Sequence, residues 1–261
     1  MSFRSKLYYL REYLFPAGCG GCGEALSPVD ACYGLCQKCR TSFGIALVAG
    51  KRCRYCGKPL ITEKEICLSC REKAGAENGS YDGHIKKLIV LFPYVGKFRT
   101  ILGSFKFEKS TGLGFFFAGY LKLALEALEP ETLERAVWVP VPPRPGKIKK
   151  YGWDQVEFLA KLLDKTVGFT HGKAGGVTHG KNGRMAVNRC LKRLPSKSQK
   201  LLNREERERN LKGRIRCVKT PPETALLFDD VVTTGATLDA CAEALLQNGA
   251  KSVYAVCLFY K

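Results

Sequence analysis

The run Leu226-Leu227-Phe228-Asp229-Asp230-Val231-Val232-Thr233-Thr234-Gly235-Ala236-Thr237 combines residue types that can hold a phosphorylated sugar. An apolar strand meets two adjacent carboxylates, then a loop of threonines with a glycine and an alanine, then a helix. Carboxylates accept hydrogen bonds from vicinal hydroxyls such as those of a ribose. Successive strand side chains point to opposite faces, so Asp229 and Asp230 can both reach one ligand only where the strand ends and its pleat relaxes. Residues 233–237 offer backbone N–H groups, three hydroxyls, and Gly235 for close approach or positive φ. The following helix aims its positive end at the same spot, each exposed contact with an anion contributing roughly 0.3–1 kcal/mol. An ordinary strand-to-helix turn with capping acids is the plain alternative, but a cap requires neither two acids nor this loop.

A second pattern is made of sulfur. Thirteen cysteines are present. Eight form four C-x-x-C pairs: Cys19/Cys22, Cys36/Cys39, Cys53/Cys56 and Cys67/Cys70. Thiolates two apart on a turn converge on one metal, and four sulfurs at about 2.3 Å satisfy tetrahedral Zn²⁺, so the segment can hold two structural zinc ions. Glycines beside the pairs (Gly20, Gly21, Gly23, Gly34, Gly57) suit knuckle turns. Rival explanations are a disulfide framework, which suits exported proteins, and an iron–sulfur cluster. Sequential pairing of the knuckles is simpler than interleaving, and both arrangements satisfy the spacing. Cys32 is left over as a bystander.

Elements must position these groups. Leu238, Cys241, Ala242, Leu245 and Leu246 form one apolar stripe at helical spacing, with Gly249 as a stop signal, and an apolar strand follows at 252–260. This strand–loop–helix–strand order predicts a parallel sheet. Upstream, Trp138-Val139-Pro140-Val141-Pro142-Pro143 reads as a short strand closed by prolines. It leads into Arg144-Pro145-Gly146-Lys147-Ile148-Lys149-Lys150, a cationic loop before a helix at 154–163, suited to neutralising an anionic group. Further helices are expected at 4–15 (Leu7, Leu10, Leu14) and 115–128, a linker at 71–80, and strands at 185–192 and 214–218. Residues 83–106 mix an apolar segment with aromatic and basic side chains, either half-buried core or a nucleic-acid path. Residues 168–184 repeat Thr-His-Gly-Lys (Thr170-His171-Gly172-Lys173 and Thr178-His179-Gly180-Lys181) amid six glycines, the pattern of a mobile loop. Residues 196–210 are polar and highly charged.

The formal net charge of +19 favours polyanionic partners. No apolar run approaches the roughly 20 residues of a membrane span, and no cleavable leader is evident, so a cytoplasmic location is expected.

The aspartate–threonine run resembles the 5-phosphoribosyl-1-diphosphate (PRPP) signature of type I phosphoribosyltransferases. The wider layout resembles the ComF/ComFC competence family. Shared features are Leu14-Phe15-Pro16 before the first knuckle, the paired cysteines, Val139-Pro140-Val141-Pro142, Gly152-Trp153-Asp154-Gln155, Leu191-Lys192-Arg193, Gln199, and Arg207 with Asn210. The chain departs from the family pattern at Asp154, where Asn is usual, in the 168–184 insertion, and in a shortened segment after Arg193. The resemblance implies an α/β, type I phosphoribosyltransferase-like domain at 81–261 with a mostly parallel sheet, behind a Cys-rich zinc module at 1–75. It implies that Asp229 and Asp230 hold the ribose hydroxyls as catalytic residues, that Val231, Val232, Thr233, Thr234, Gly235, Ala236 and Thr237 complete the PRPP site, and that Arg144 and Lys147 meet the diphosphate. Mg²⁺ would accompany PRPP, held mostly by substrate oxygens. Single-stranded DNA, and a competence helicase or uptake proteins, are the implied partners. Two readings follow: a phosphoribosyltransferase displacing diphosphate through an oxocarbenium-like state, or a non-catalytic module that senses PRPP or a nucleotide end.

Overall fold

The computed structural model of the chain describes residues 17–48, 50–73, 84–165, 186–195, 211 and 213–261. The expected helix at 4–15, the His/Gly loop at 168–184 and the charged segment 196–210 lie outside the described residues. In chain order come α1 (Pro28–Ala31), α2 (Gln37–Val48), α3 (Leu68–Lys73), β1 (Lys87–Pro93), α4 (Gly96–Phe107) and α5 (Thr111–Leu123). Then follow α6 (Pro130–Arg135), β2 (Ala136–Pro140), α7 (Lys147–Tyr151), α8 (Gln155–Lys165), β3 (Leu191–Arg193), β4 (Ile215–Cys217), β5 (Thr224–Val232), α9 (Ala236–Gln247) and β6 (Ser252–Tyr260).

The α/β expectation holds. Four strands in the order β1-β6-β5-β2 form one sheet, every pair parallel. Their continuous apolar runs follow from burial on both faces. One face, with Leu226, Phe228 and Leu258, packs on α4, α5 and α8. The other, with Leu227, Ala255 and Cys257, packs on α9 and the small β3–β4 antiparallel pair.

The cysteine module shares both cores. Cys19 and Cys39 belong to the first, where Phe43 of α2 meets Phe92, Phe98 and Phe116 edge-on at centroid distances of 4.7, 4.8 and 5.0 Å. Such pairs contribute roughly 0.5–1.5 kcal/mol each beyond burial. Cys53, Cys56, Cys67 and Cys70 belong to the second. Their knuckle also covers the sheet's β1 edge: Leu88 N–H donates to Tyr55 O at 2.9 Å and Val90 N–H to Cys56 O at 3.2 Å. Exposed edges invite foreign strands, and here the chain supplies its own cover. Gly57 makes that approach possible, for a Cβ there would stand 3.2 Å from Val90 N, and its φ is +68°. At the opposite edge, Trp138 N–H donates to Ala186 O at 3.0 Å and Asn188 N–H to Trp138 O at 2.8 Å.

Several local expectations shift. The helix expected at 115–128 is α5, which starts earlier and gives way to a 3₁₀ turn at Ala124–Ala127. The strand expected at 185–192 reduces, among the described residues, to an isolated bridge at Val187 and the short β3. The linker expected from 71 begins inside α3, and its remainder lies outside the described residues. The aromatic residues of the 83–106 stretch are mostly core: Phe92 and Phe105 are fully buried.

Candidate functional site

β5 and β2 are neighbours and parallel, so their carboxyl ends open side by side, where open α/β sheets place ligands. Past β5 the chain turns through Thr233 and Thr234 to Gly235, whose φ of +88° is a left-handed value that glycine adopts without strain. Gly235 is the N-cap of α9, so a twelve-residue helix begins at the turn with its first N–H groups facing the loop. Past β2, Arg144 arrives from the proline-rich loop. Arg144, Asp229, Val231, Val232, Thr233, Thr234, Gly235, Ala236, Thr237 and Leu238 line a cleft of about 200 Å³. That is below the roughly 300–1,000 Å³ of sites that enclose a drug-sized ligand, so it fits one small charged group with the rest of a larger ligand outside.

Two of the expected site residues stand elsewhere. β5 does not end at its acids: pairing with β6 continues through Val232↔Tyr260, so the pleat persists. Asp229 therefore borders the cleft, while Asp230 faces the other side of the sheet, where it pairs with Lys106 Nζ at 2.9 Å and accepts from Gln155 Nε2. Lys147 is likewise absent from the cleft lining; its Nζ donates to Asp154 Oδ2 at 2.6 Å and to Gln155 Oε1 at 2.7 Å. Lys106 and Gln155 are the residues that sequence reasoning passed over. Gln155 was at hand in the Gly152-Trp153-Asp154-Gln155 motif; Lys106 carried no local signal.

The electrostatics follow from this placement. Burial, and then the neighbouring Asp230 carboxylate, push the Asp229 carboxyl up to about 8. Burial disfavours the Lys106 ammonium, but the Asp230 carboxylate outweighs it and holds Lys106 above the ordinary lysine value. Burial lowers both Arg144 and Arg193, and the nearby Arg144 guanidinium lowers Arg193 further. Arg144, which lines the cleft beside the N-terminus of α9, gives it a cation that can meet an anion.

The cysteines gather into the two sequential sets, Cys19/Cys22/Cys36/Cys39 and Cys53/Cys56/Cys67/Cys70, with the sulfurs of each set within 4.8 Å of one another. All thirteen are free thiols, so no disulfide framework forms. Tetrahedral ligands about 2.3 Å from a metal stand about 3.8 Å apart. Cys22 and Cys36 sulfurs are 3.7 Å apart, and those of Cys56 and Cys67 3.6 Å. Backbone N–H groups of Cys36 and Cys67 point at the Cys19 and Cys53 sulfurs, at 3.3 and 3.4 Å, which suits thiolate acceptors. The donor sets thus fit two structural zinc ions, and with four sulfurs each they leave no open coordination position. Cys32 stands apart, its thiol directed to Pro28 O. Among the described residues no helix is long and apolar enough to cross a membrane.

Comparison with known proteins agrees with this construction. Residues 10–71 match the double zinc ribbon domain family. Competence protein F of Haemophilus influenzae is 22% identical over 228 residues, covering 84% of this chain and 87% of that protein. Competence protein ComFC of Streptococcus pneumoniae is 26% identical over 227 residues, 86% of each. A shorter match, 51% identical over 35 residues, is to the ribose-phosphate pyrophosphokinase of Oceanobacillus iheyensis and covers 13% of this chain and 11% of that one. The chain is thus similar along most of its length to proteins named competence protein F and ComFC, with a double zinc ribbon at its start and a parallel phosphoribosyltransferase-like sheet behind it.

Proposed function

We propose that the cleft binds PRPP and that the protein serves DNA uptake or utilisation, as the names of its relatives suggest. The observation that carries this reading is the lining itself: one carboxylate, Asp229, opposite a glycine turn and helix N-terminus, with Arg144 at the rim. In this reading the 5-phosphate lies against the N–H groups of residues 233–237, Asp229 accepts from the ribose hydroxyls, and Arg144 faces the diphosphate. The small cleft volume suits a phosphate and part of a sugar, leaving the diphosphate and any acceptor outside. Mg²⁺, a hard cation, would come with the substrate, bound mostly by its oxygens, and would draw charge from the diphosphate. If turnover occurs, the C1–O bond breaks with its electron pair on diphosphate while an acceptor nucleotide or single-stranded DNA forms the new bond at C1. Diphosphate release from PRPP in the presence of bases, amines and single-stranded DNA tests turnover: stimulation by one acceptor supports the enzyme, and intact binding with no release rejects it.

A second reading, binding without turnover, draws on the surface beside the cleft. Tyr151 (54% exposed) and Ile148 (48%) flank exposed Lys149 and Lys150 in α7, with Lys150 Nζ 5.2 Å from the Tyr151 ring centroid, and Phe107 at the end of α4 is 80% exposed. Lys109 reaches Gly152, with Nζ 3.8 Å from where a Cβ would stand. Exposed rings among lysines suit stacked bases and phosphates. In this reading affinity for oligo-dT falls steeply with salt; a flat response argues against it.

A further inference from the structure

Asp229 and Asp230 are neighbours in sequence, yet their carboxyl groups face different surroundings. Asp229 borders the cleft. Asp230 is 5% exposed, and its Oδ2 takes both the Lys106 ammonium at 2.9 Å and the Gln155 amide. Gln155 Oε1 accepts from Lys147 Nζ at 2.7 Å. The same Nζ donates to Asp154 Oδ2 at 2.6 Å, and Asp154 Oδ1 accepts the Glu157 N–H at 2.8 Å, capping α8. Five side chains from the end of α4, the carboxyl half of β5, the start of α7 and the entry to α8 thus form one chain of contacts. It contains two ammonium groups, two carboxylates and an amide, so its charges cancel. Turning Asp230 toward a sugar would leave the Lys106 ammonium, itself mostly buried, without its counter-charge.

We propose that the paired acids divide the work: Asp229 is the carboxylate that meets the ligand, whereas Asp230 is a positioning residue that, through Lys106, Gln155 and Lys147, holds residues 144–155 against the end of the sheet so that Arg144 borders the cleft. The ligand half of this proposal rests on the PRPP reading above; the anchoring half does not. Lys147 is then a strut, its charge committed to Asp154, and Arg144 is the cation of this loop that faces the ligand. The network also accounts for aspartate at 154, since an asparagine there would leave the Lys147 ammonium without a carboxylate partner.

The test uses the full chain with its zinc content measured, and two readouts. Amide hydrogen exchange over 147–155 reports anchoring. Calorimetric titration with PRPP, ribose 5-phosphate and 2-deoxyribose 5-phosphate reports the sugar contact. Asp230→Asn and Lys106→Met should each speed exchange over 147–155 and weaken PRPP binding by roughly tenfold, and the double variant should be no worse than the poorer single one, because both act on one pair. The preference for ribose 5-phosphate over its 2-deoxy analogue should stay at the wild-type ratio in these variants and collapse in Asp229→Asn, with exchange unchanged. Lys106→Arg, which keeps the ion pair, should restore both readouts, and it carries the comparison if Asp230→Asn does not fold. Unchanged exchange in Asp230→Asn, or loss of the ribose preference there as in Asp229→Asn, overturns the proposal. Absence of PRPP binding in the wild type sinks the functional reading, while exchange still decides whether Asp230 anchors the loop.

Discussion

The second cysteine cluster and the cleft beyond β5 are both built from groups that are costly to bury, and they meet that cost in opposite ways. At the cluster the bonding is closed. All four cysteines are buried, and beside them Arg52 donates to five backbone carbonyls: Leu47 at 3.1 Å, Gly57 at 2.8 Å, Val90 at 3.2 Å, Ala46 at 2.7 Å and Leu91 at 3.3 Å. Its donors tie the end of α2, the knuckle turn and the edge strand β1 into one joint. At the cleft the arrangement is open. Asp229, at its border, is held above its ordinary range by burial and by the Asp230 carboxylate, and Arg144 lines the same cleft. The difference separates architecture from the proposed ligand site: the closed joint holds the sheet's edge, and the open one leaves a buried carboxyl beside a cleft, as a binding role would require.

Breaking the closed joint should have the largest effect. Cys56→Ser should lower zinc from two ions per chain to one and remove on the order of 5 kcal/mol or more of stability, because structural zinc binding is folding free energy and this site also carries the β1 edge. Cys22→Ser, at the exposed member of the first cluster, should also cost one zinc but lower the melting temperature less. Elemental analysis with calorimetry checks both, and equal destabilisation would erase the distinction between the knuckles. Next comes Arg52→Ala, which strips five carbonyls of their donor at once; about 3–5 kcal/mol is expected from denaturant midpoints. Arg52→Lys, with three donors and no planar fork, should fall between.

The remaining effect lies at the open end and concerns pH. A carboxyl whose folded value is about 8 binds its proton more tightly folded than unfolded, where it titrates near 3.9. The contribution of Asp229 to stability is therefore fully present below about pH 4 and is lost as pH rises toward 8. Asp229→Asn should flatten that slope, gaining on the wild type between pH 5 and 8 in the absence of ligand. Hydroxyl donors favour the ionised form, so PRPP binding at pH 7 should release a proton, measurable as a buffer-dependent enthalpy. A variant with the wild-type slope would show that Asp229 titrates normally.

The same contrast explains how much could be read from the chain. The cysteine knuckles and the aspartate–threonine run are local patterns, with ligands a few residues apart, and they point to the metal sets and the cleft. The parallel sheet follows from its apolar strands. What could not be read is long-range. Arg52 is one arginine among many until α2 and β1 surround it. Asp230 and Gln155 are 75 positions apart and meet only across the packed sheet. Adjacency in sequence suggests one shared ligand for the two acids, whereas continued pairing to Val232 keeps them on opposite faces. The helix α4 did have a signal, Phe98, Ile101, Leu102 and Phe105 at helical spacing, masked by interleaved lysine, arginine and glycine.

The most direct test is calorimetric titration of the two-zinc protein with PRPP and Mg²⁺, beside Asp229→Asn at equal zinc content. The account predicts saturable binding of one PRPP per chain in the wild type and markedly weaker binding in Asp229→Asn. No binding in the wild type, or equal binding in the two, would contradict it.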